Sequence, residues 1–308
     1  MKRLSVLRRI LGVGAVSGLV ACTMVAGIDD FHIGECKGGK CSRPETGGPS
    51  IIQQPPDSGP APVIDSGVVC PGREAPKAIR VGSGDNTFCI DTTEVTVAQY
   101  QAFLEAKVEI SSQPGVCLWN KSFEPFRTPA EIEAGTTPPT DFPQVQVDWC
   151  DALAYCTWAG KYLCGRVEKG KKIGPVTEEG LSDYQSHQWM LACSAEARLR
   201  YPYGGVFDPK RCNTKDLEAG TLKPAGSLDT CIGGFEGLHD MVGNAWEYFD
   251  GPCKTDAGDG GEGTESDTCL LKGASYLDLG DQNDCHLNSG PIRRDFHGPN
   301  VGFRCCSD

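Results

Sequence analysis

The 308-residue sequence lacks several features that would place it in a common class of protein. It has no paired CxxC motifs typical of zinc sites, no serine in a nucleophile-elbow motif and no glycine-rich phosphate loop. Its N-terminal apolar run, residues 10–21, is too short to span a bilayer. Basic residues are outnumbered by acidic ones, and the net charge of −12 argues against nucleic acid or anionic lipid surfaces as partners.

Cysteine, in contrast, is abundant, with 17 residues dispersed along the chain. A basic start is followed by the apolar run and by Leu19-Val20-Ala21-Cys22, an ending typical of a bacterial lipoprotein signal. We expect residues 1–21 to be removed and Cys22 to carry a lipid that anchors the exported protein to the cell envelope, in the outer membrane. An ordinary signal peptide or a short anchor is the alternative. Setting Cys22 aside leaves 16 cysteines, and an even number in an exported chain predicts disulfides.

Composition divides the remainder of the chain in two. Residues 22–69 are rich in Gly, Pro, Ser and Asp, so they bury too little apolar surface to fold and are predicted to form a disordered tether. Within the tether, Cys36 and Cys41 flank a Gly-Gly pair and could close a small loop. Residues 70–308 are predicted to form the folded domain.

The domain combines a few short helices with a long irregular half. Residues 88–91 are typical of a strand, residues 95–104 predict a helix with Thr96 as N-cap, Asp148 could start a second helix, and residues 188–197 a third. Beyond them the chain is rich in Gly, Asn and Asp, which indicates short strands and loops. The pattern favours an α+β fold class over a wound α/β fold.

Residues 237–248 indicate a turn that enters a half-buried strand. Gly243 and Asn244 permit a tight turn, and Asp240 and Glu247 supply hard oxygen ligands at its two ends. The stretch therefore predicts a cation-binding loop. The alternative is that Asp240 caps a turn and Glu247 is merely exposed.

A series of motifs runs along the domain in a fixed order. The motifs include Phe88-Cys89-Ile90-Asp91, Glu94-Val95-Thr96, Val147-Asp148-Trp149, Tyr155-Cys156-Thr157-Trp158-Ala159-Gly160-Lys161, Lys272-Gly273-Ala274-Ser275-Tyr276 and Val301-Gly302-Phe303-Arg304-Cys305. This ordered series resembles the formylglycine-generating enzyme family, also called the sulfatase-modifying factor family. The resemblance covers nearly all of residues 85–308, and it implies a disulfide-rich variant of the C-type lectin fold with little regular secondary structure and bound calcium.

The resemblance also locates the catalytic positions of the family. Active members oxidise a sulfatase cysteine to formylglycine with two cysteines that bind copper(I), because soft thiolates select that ion. Here these positions fall on Asp278 and Asn283, and hard oxygen ligands cannot replace a copper thiolate site. We therefore expect a binding or structural module for a peptide or glycan, without copper. The alternatives are an oxidoreductase of the formylglycine-generating type and a divergent family enzyme acting on a protein cysteine or a small molecule.

The calcium ligands implied by the resemblance lie in the predicted cation-binding loop. They are the Asp240 and Glu247 side chains with the Gly243 and Ala245 carbonyls. A second family site would use the Asn213 side chain and the Thr214 carbonyl. Its acidic ligands fall in a shortened segment, where Asp216 is the substitute.

The resemblance implies two structural disulfides, Cys156–Cys305 and Cys193–Cys285. Cys253 and Cys269 flank a Gly/Asp-rich loop and are expected to close it. Cys212–Cys231 and Cys89–Cys306 are further expectations, although connectivity cannot be fixed from sequence alone.

Overall fold

The computed structural model describes residues 69–71, 76–254 and 263–308, together with the backbone of 36–37 and 40–41. The predicted signal peptide, Cys22 and most of the predicted tether lie outside the described residues. Among the described residues no helix has the length and apolar character needed to cross a membrane.

The elements are short and mixed, which confirms the α+β fold class. The helices are α1 (Val97–Glu105), α2 (Pro129–Glu133), α3 (Trp149–Trp158) and α4 (Gln188–Cys193). The strands are β1 (Cys36–Lys37), β2 (Lys40–Cys41), β3 (Ala78–Ser83), β4 (Asn86–Asp91), β5 (Tyr162–Leu163), β6 (Arg166–Glu168), β7 (Lys171–Gly174), β8 (Trp246–Tyr248), β9 (Thr268–Cys269), β10 (Leu271–Lys272), β11 (Ile292–Arg293), β12 (Val301–Phe303) and β13 (Cys305–Ser307).

Helix ends follow the local sequence. Thr96 is the N-cap of α1 and forms a capping box with Gln99, and Asp148 and Asp151 form the same motif at the start of α3. Helix α4 stops at Cys193, four residues before the predicted end. The reason is that residues 195–197 all have positive φ, which a right-handed helix cannot contain.

Two sheets hold the termini of the domain together. One has the strand order β3-β4-β13-β5, so the C-terminal strand lies between two N-terminal ones. The other has the order β10-β8-β12, with β12 parallel to β8. Strand β8 is buried at all three positions, and the loop before it is the predicted cation-binding loop.

Seven disulfides pair all fourteen cysteines of residues 70–308. The bridges expected for Cys156–Cys305, Cys193–Cys285, Cys253–Cys269 and Cys212–Cys231 are all present. The remaining bridges are Cys70–Cys89, Cys117–Cys150 and Cys164–Cys306.

The expected Cys89–Cys306 bridge is wrong. Strand β13 pairs with β4 so that Cys306 faces Ile90 and Ser307 faces Cys89. Side chains alternate between the faces of a sheet, so Cys89 and Cys306 point to opposite faces. The same alternation separates Cys305 from Cys306, which bond to Cys156 and Cys164 respectively.

Candidate functional site

The cation-binding loop folds as a series of left-handed turns. Asp240, Gly243 and Asn244 have φ values of 55°, 84° and 63°. At Gly243 a Cβ atom would lie 2.7 Å from the Asn213 carbonyl oxygen, so the position needs glycine. The loop is tied down by backbone bonds from Gly243 N–H to the Gly273 carbonyl at 2.7 Å and from Asn244 N–H to the Asn213 carbonyl at 2.8 Å.

Glu247, at the far end of the loop, is fully buried and already saturated with donors. Arg304 Nε donates to both carboxylate oxygens at 3.0 and 2.8 Å, and Arg304 Nη2 donates to Oε1 at 2.7 Å. Trp189 Nε1 donates to Oε2 at 2.7 Å. The Glu247 carboxylate is therefore engaged in a salt bridge with Arg304 and has no oxygen free to bind a cation.

Asp240, at the near end, lies beside Glu94, a residue to which the sequence analysis gave no site role. Asp240 Oδ2 accepts the Gly226 N–H at 2.7 Å, and Glu94 Oε1 accepts Asn244 Nδ2 at 2.9 Å. Burial raises the pKa of Asp240 to about 6. Burial, with the negative charge of Asp240, also raises the pKa of Glu94 well above its usual range.

These groups form a buried carboxyl cluster of Glu94, Asp240 and Glu247 with Arg304, and every member is 2% exposed or less. Three carboxyl groups face one guanidinium, and Glu94 Oε2 has no hydrogen-bond partner. An isolated buried charge is costly, so the surplus must be offset by protons or by a cation. Asp240 accepts the Gly226 N–H and retains lone pairs that suit a hard cation such as calcium. Glu247 would have to release a donor to join it.

The second expected calcium site is only partly assembled. Asn213 is buried, its Nδ2 donates to Thr221 O and Asn244 Oδ1, and its Oδ1 has no partner. Asp216 does not turn toward Asn213, because its Oδ2 accepts the Gly280 N–H at 2.6 Å and lies 3.4 Å from Thr214 Oγ1. The unpartnered amide oxygen fits a cation ligand, whereas the substitute carboxylate is committed to the turn around Gly280.

Asp278 and Asn283, at the two family cysteine positions, stabilise local turns. Asp278 Oδ2 accepts the Ser275 N–H at 3.0 Å and the Ser275 hydroxyl at 2.6 Å. Asn283 is buried and its side-chain amide donates to the Leu279 carbonyl. The nearby Cys285 is held in its bridge to Cys193, so it offers no thiolate.

A second cluster, which the sequence analysis did not identify, brings Asp148, Asp151 and His297 together. Arg304 and Glu94 were likewise quoted only as parts of motifs. For Glu94, Asp148 and Arg304 the available signal was a charged residue inside a motif, whereas His297 lies in none of the motifs. Sequence alone does not show which of these charges meet, because they come from distant segments.

Comparisons with known proteins identify the family of this chain. The family model for FGE-sulfatase, the sulfatase-modifying factor enzyme 1-like domain, matches residues 63–308. An inactive C-alpha-formylglycine-generating enzyme 2 of Bos taurus is 30% identical over 198 residues, which are 59% of this chain and 56% of the relative. A formylglycine-generating enzyme of Mycobacterium tuberculosis is 26% identical over 284 residues, covering 85% of this chain and 81% of that enzyme.

Among solved structures, PvdO from Pseudomonas aeruginosa aligns with 77% of this chain and 92% of its own chain, at 17% identity and a TM-score of 0.45. The chain spans little more than half of the bovine relative's length. The family model covers well over half of the chain itself. The chain therefore belongs to the sulfatase-modifying factor enzyme 1-like domain family.

Proposed function

We propose that this protein is a non-oxidase member of its family, a calcium-stabilised binding module held at the cell envelope by a lipid on Cys22. The observation that carries the proposal is the state of the cysteines. All fourteen cysteines of residues 70–308 are in disulfides, and the two family positions hold Asp278 and Asn283.

The chemical argument concerns the copper ligands. Copper(I) in a cysteine oxidase needs thiolates, and a disulfide sulfur carries no such charge. Asp278 and Asn283 are instead engaged with Ser275 and Leu279 in the turn that follows β10. The name of the bovine relative, an inactive enzyme, is consistent with loss of the activity.

The direct test is an aldehyde assay. The purified, oxidised protein is incubated with a Cys-x-Pro-x-Arg peptide, copper and oxygen, beside a formylglycine-generating enzyme as positive control. We expect the control to convert the peptide and this protein to leave it unchanged, as measured by mass spectrometry. Conversion at a rate comparable to that of the control would refute the proposal.

The ligand of the module is proposed to be a peptide, bound beside Asp278. The half-buried Tyr203 stacks at 5.6 Å on the buried Tyr201, the half-buried Phe207 packs against Tyr201, and the neighbouring Val206 is 71% exposed. Leu279 is also exposed, next to the glycine that packs on Phe207. An apolar, aromatic surface of this kind favours peptide side chains.

A peptide library and a glycan array, each probed with the protein and with its Val206→Ser variant, distinguish the two ligand classes. We expect peptide hits that the variant loses. Hits on glycans alone would favour the carbohydrate alternative.

Calcium is proposed to bind the loop through Asp240 and the Gly243 and Ala245 carbonyls, and to offset the surplus charge of the buried carboxyl cluster. A ligand that binds only the folded state raises its stability. Excess chelator should therefore lower the melting temperature, and added calcium should restore it. An unchanged melting curve would count against the site.

The seven-disulfide domain indicates an exported protein, because such bridges persist in oxidising compartments. The lipid anchor on Cys22 is tested by expressing the full chain and its Cys22→Ala variant in a bacterium. We expect the protein to fractionate with membranes and the variant to leave them. A variant that stays equally membrane-bound would remove the anchor from the proposal.

A further inference from the structure

The acid–histidine cluster of Asp148, Asp151 and His297 shares no residue with the predicted cation-binding loop. Each residue offers a ligand atom, and these atoms lie within 4.8 Å of one another. In the part of the chain that the structure describes, no other three His, Cys, Asp or Glu residues meet in this way. His297 Nε2 lies 3.5 Å from Asp148 Oδ2.

The two carboxylates are anchored by the first turn of α3. Asp148 Oδ1 accepts the Asp151 N–H at 2.8 Å, and Asp151 Oδ2 accepts the Asp148 N–H at 3.1 Å. Asp151 Oδ1 accepts Asn120 Nδ2 at 2.8 Å. These donors are neutral, and each carboxylate oxygen has a second lone pair. The two carboxylates are 2% exposed or less, yet they retain acceptor capacity that a cation could use.

His297 is brought to the carboxylates by the loop between β11 and β12. That loop docks on the start of α3 through Trp149 N–H to the Arg294 carbonyl at 3.3 Å and Gln146 N–H to the Gly298 carbonyl at 2.9 Å. The imidazole also lies against the Phe126 ring, with centroids 5.6 Å apart. The Cys117–Cys150 bridge ties the segment that carries Asn120 to the same turn of α3. The three ligands are thus held by separate segments that are fixed to one another.

We propose that Asp148, Asp151 and His297 bind a divalent first-row transition-metal ion of the zinc class. A mixed set of imidazole and carboxylates suits such ions, whereas calcium and magnesium prefer oxygen alone. Three protein ligands leave a coordination position for water or substrate, as in catalytic zinc sites. The His297 side chain is 30% exposed, so the ion and that position are reachable from solvent.

The test is a zinc titration of the chelator-treated full chain by calorimetry, in buffer with excess calcium so that the calcium loop is occupied. We expect one saturable zinc site per chain. His297→Ala should raise the zinc Kd by about tenfold or more, since even residues that only support metal ligands cost 10–100-fold. The matched control is His286→Ala, whose imidazole is similarly exposed but lies outside the cluster, and it should bind zinc as the unmodified protein does.

Asp148→Asn provides a second variant, because asparagine retains the N-cap while removing the charge. It should lose zinc affinity and keep the melting temperature of the metal-free protein, so it decides the case if His297→Ala is poorly folded. Absence of a saturable zinc site, or a zinc affinity in both cluster variants equal to that of the unmodified protein, would overturn the proposal. Neither outcome bears on the aldehyde assay, since Asp278 and Asn283 are not involved.

Discussion

Arg304 joins several segments that are far apart in the sequence. Besides its contacts with Glu247, its Nη1 donates to the Asp91 carbonyl at 3.1 Å and its Nη2 to the His239 carbonyl at 3.0 Å. The guanidinium is fully buried, and it supplies the positive charge in the buried carboxyl cluster. Its loss would leave the Glu247 carboxylate without that charge in a medium that solvates it poorly.

We therefore expect Arg304→Met to lower the free energy of unfolding by about 3–5 kcal/mol. The control is Arg293→Met, which removes a more exposed guanidinium paired with Asp295 at 2.6 Å and should cost about 0–1 kcal/mol. Urea denaturation of the disulfide-intact proteins measures both values. Equal losses in the two variants would show that the buried Arg304–Glu247 pair contributes no more to the free energy of unfolding than the exposed pair does.

The buried Lys272 is expected to make the stability of the fold depend on pH. Burial lowers the pKa of its amine to about 7 from an ordinary 10.5, while the charge of Asp284 opposes the shift. Between pH 7 and 10 the unfolded chain therefore holds a proton that the folded chain lacks. Stability from this group rises with pH across that window, by at most about 1.4 kcal/mol per unit.

Lys272→Met should remove that slope. Unfolding curves at pH 7 and pH 9 give the change in the free energy of unfolding for each protein. Subtracting the change in the variant from that in the unmodified protein cancels the contributions of other groups. We expect the unmodified protein to gain more stability than the variant over this interval. A difference of zero or of opposite sign would contradict the assigned shift.

At the scale of elements, the predicted cation-binding loop and β8 depend on backbone conformations that only some residues adopt. Gly243 combines a φ of 84° with a close approach to the Asn213 carbonyl. Gly205 has neither constraint, since a Cβ there would meet nothing within 4 Å. The two glycines differ in what the surrounding structure demands of them.

Gly243→Ala is expected to cost about 2 kcal/mol or more through left-handed strain and the clash with Asn213. Gly205→Ala should change stability by about 0.5 kcal/mol or less. Thermal unfolding, with and without chelator, measures both the cost and whether the chelator effect survives in the Gly243 variant. Equal melting temperatures for the two variants would show that the loop is not constrained as described.

At the scale of the whole molecule, disulfides connect the ends of the domain. Cys156–Cys305 and Cys164–Cys306 span 149 and 142 residues, whereas Cys212–Cys231 spans 19. In the chain-entropy account, a bridge stabilises by restricting the unfolded state, and longer loops gain more.

Cys164–Cys306 keeps nearly the same loop closed when Cys156–Cys305 is removed. In the chain-entropy account, replacing both cysteines of Cys156–Cys305 by alanine should therefore cost less than the same change at Cys212–Cys231, which spans 19 residues. Denaturant midpoints of the two double variants give the comparison. A larger loss for Cys156–Cys305 would place the stabilisation in native packing rather than in chain entropy.

Much of the domain follows from its sequence. Thr96 and Asp148 predict the starts of the helices that they cap, because an N-cap side chain accepts a hydrogen bond from the backbone N–H three residues later. The motif series, the α+β class and four of the disulfides were also predicted. The turn at Gly243 and Asn244 could be predicted because the backbone conformation of a tight turn depends mainly on the residues within it.

Tertiary structure alone decided which distant groups meet. The disulfide partner of Cys89 depends on strand register, because a shift of one residue would turn each side chain of the strand to the other face of the sheet. The meeting of Glu94 with Asp240, and of His297 with Asp148, depends on how loops far apart in sequence dock on one another. The sequence by itself determined the helix caps and the local turns, because these depend on interactions between residues a few positions apart. Which buried charges lie next to one another was decided by tertiary packing, because the charged residues come from distant segments.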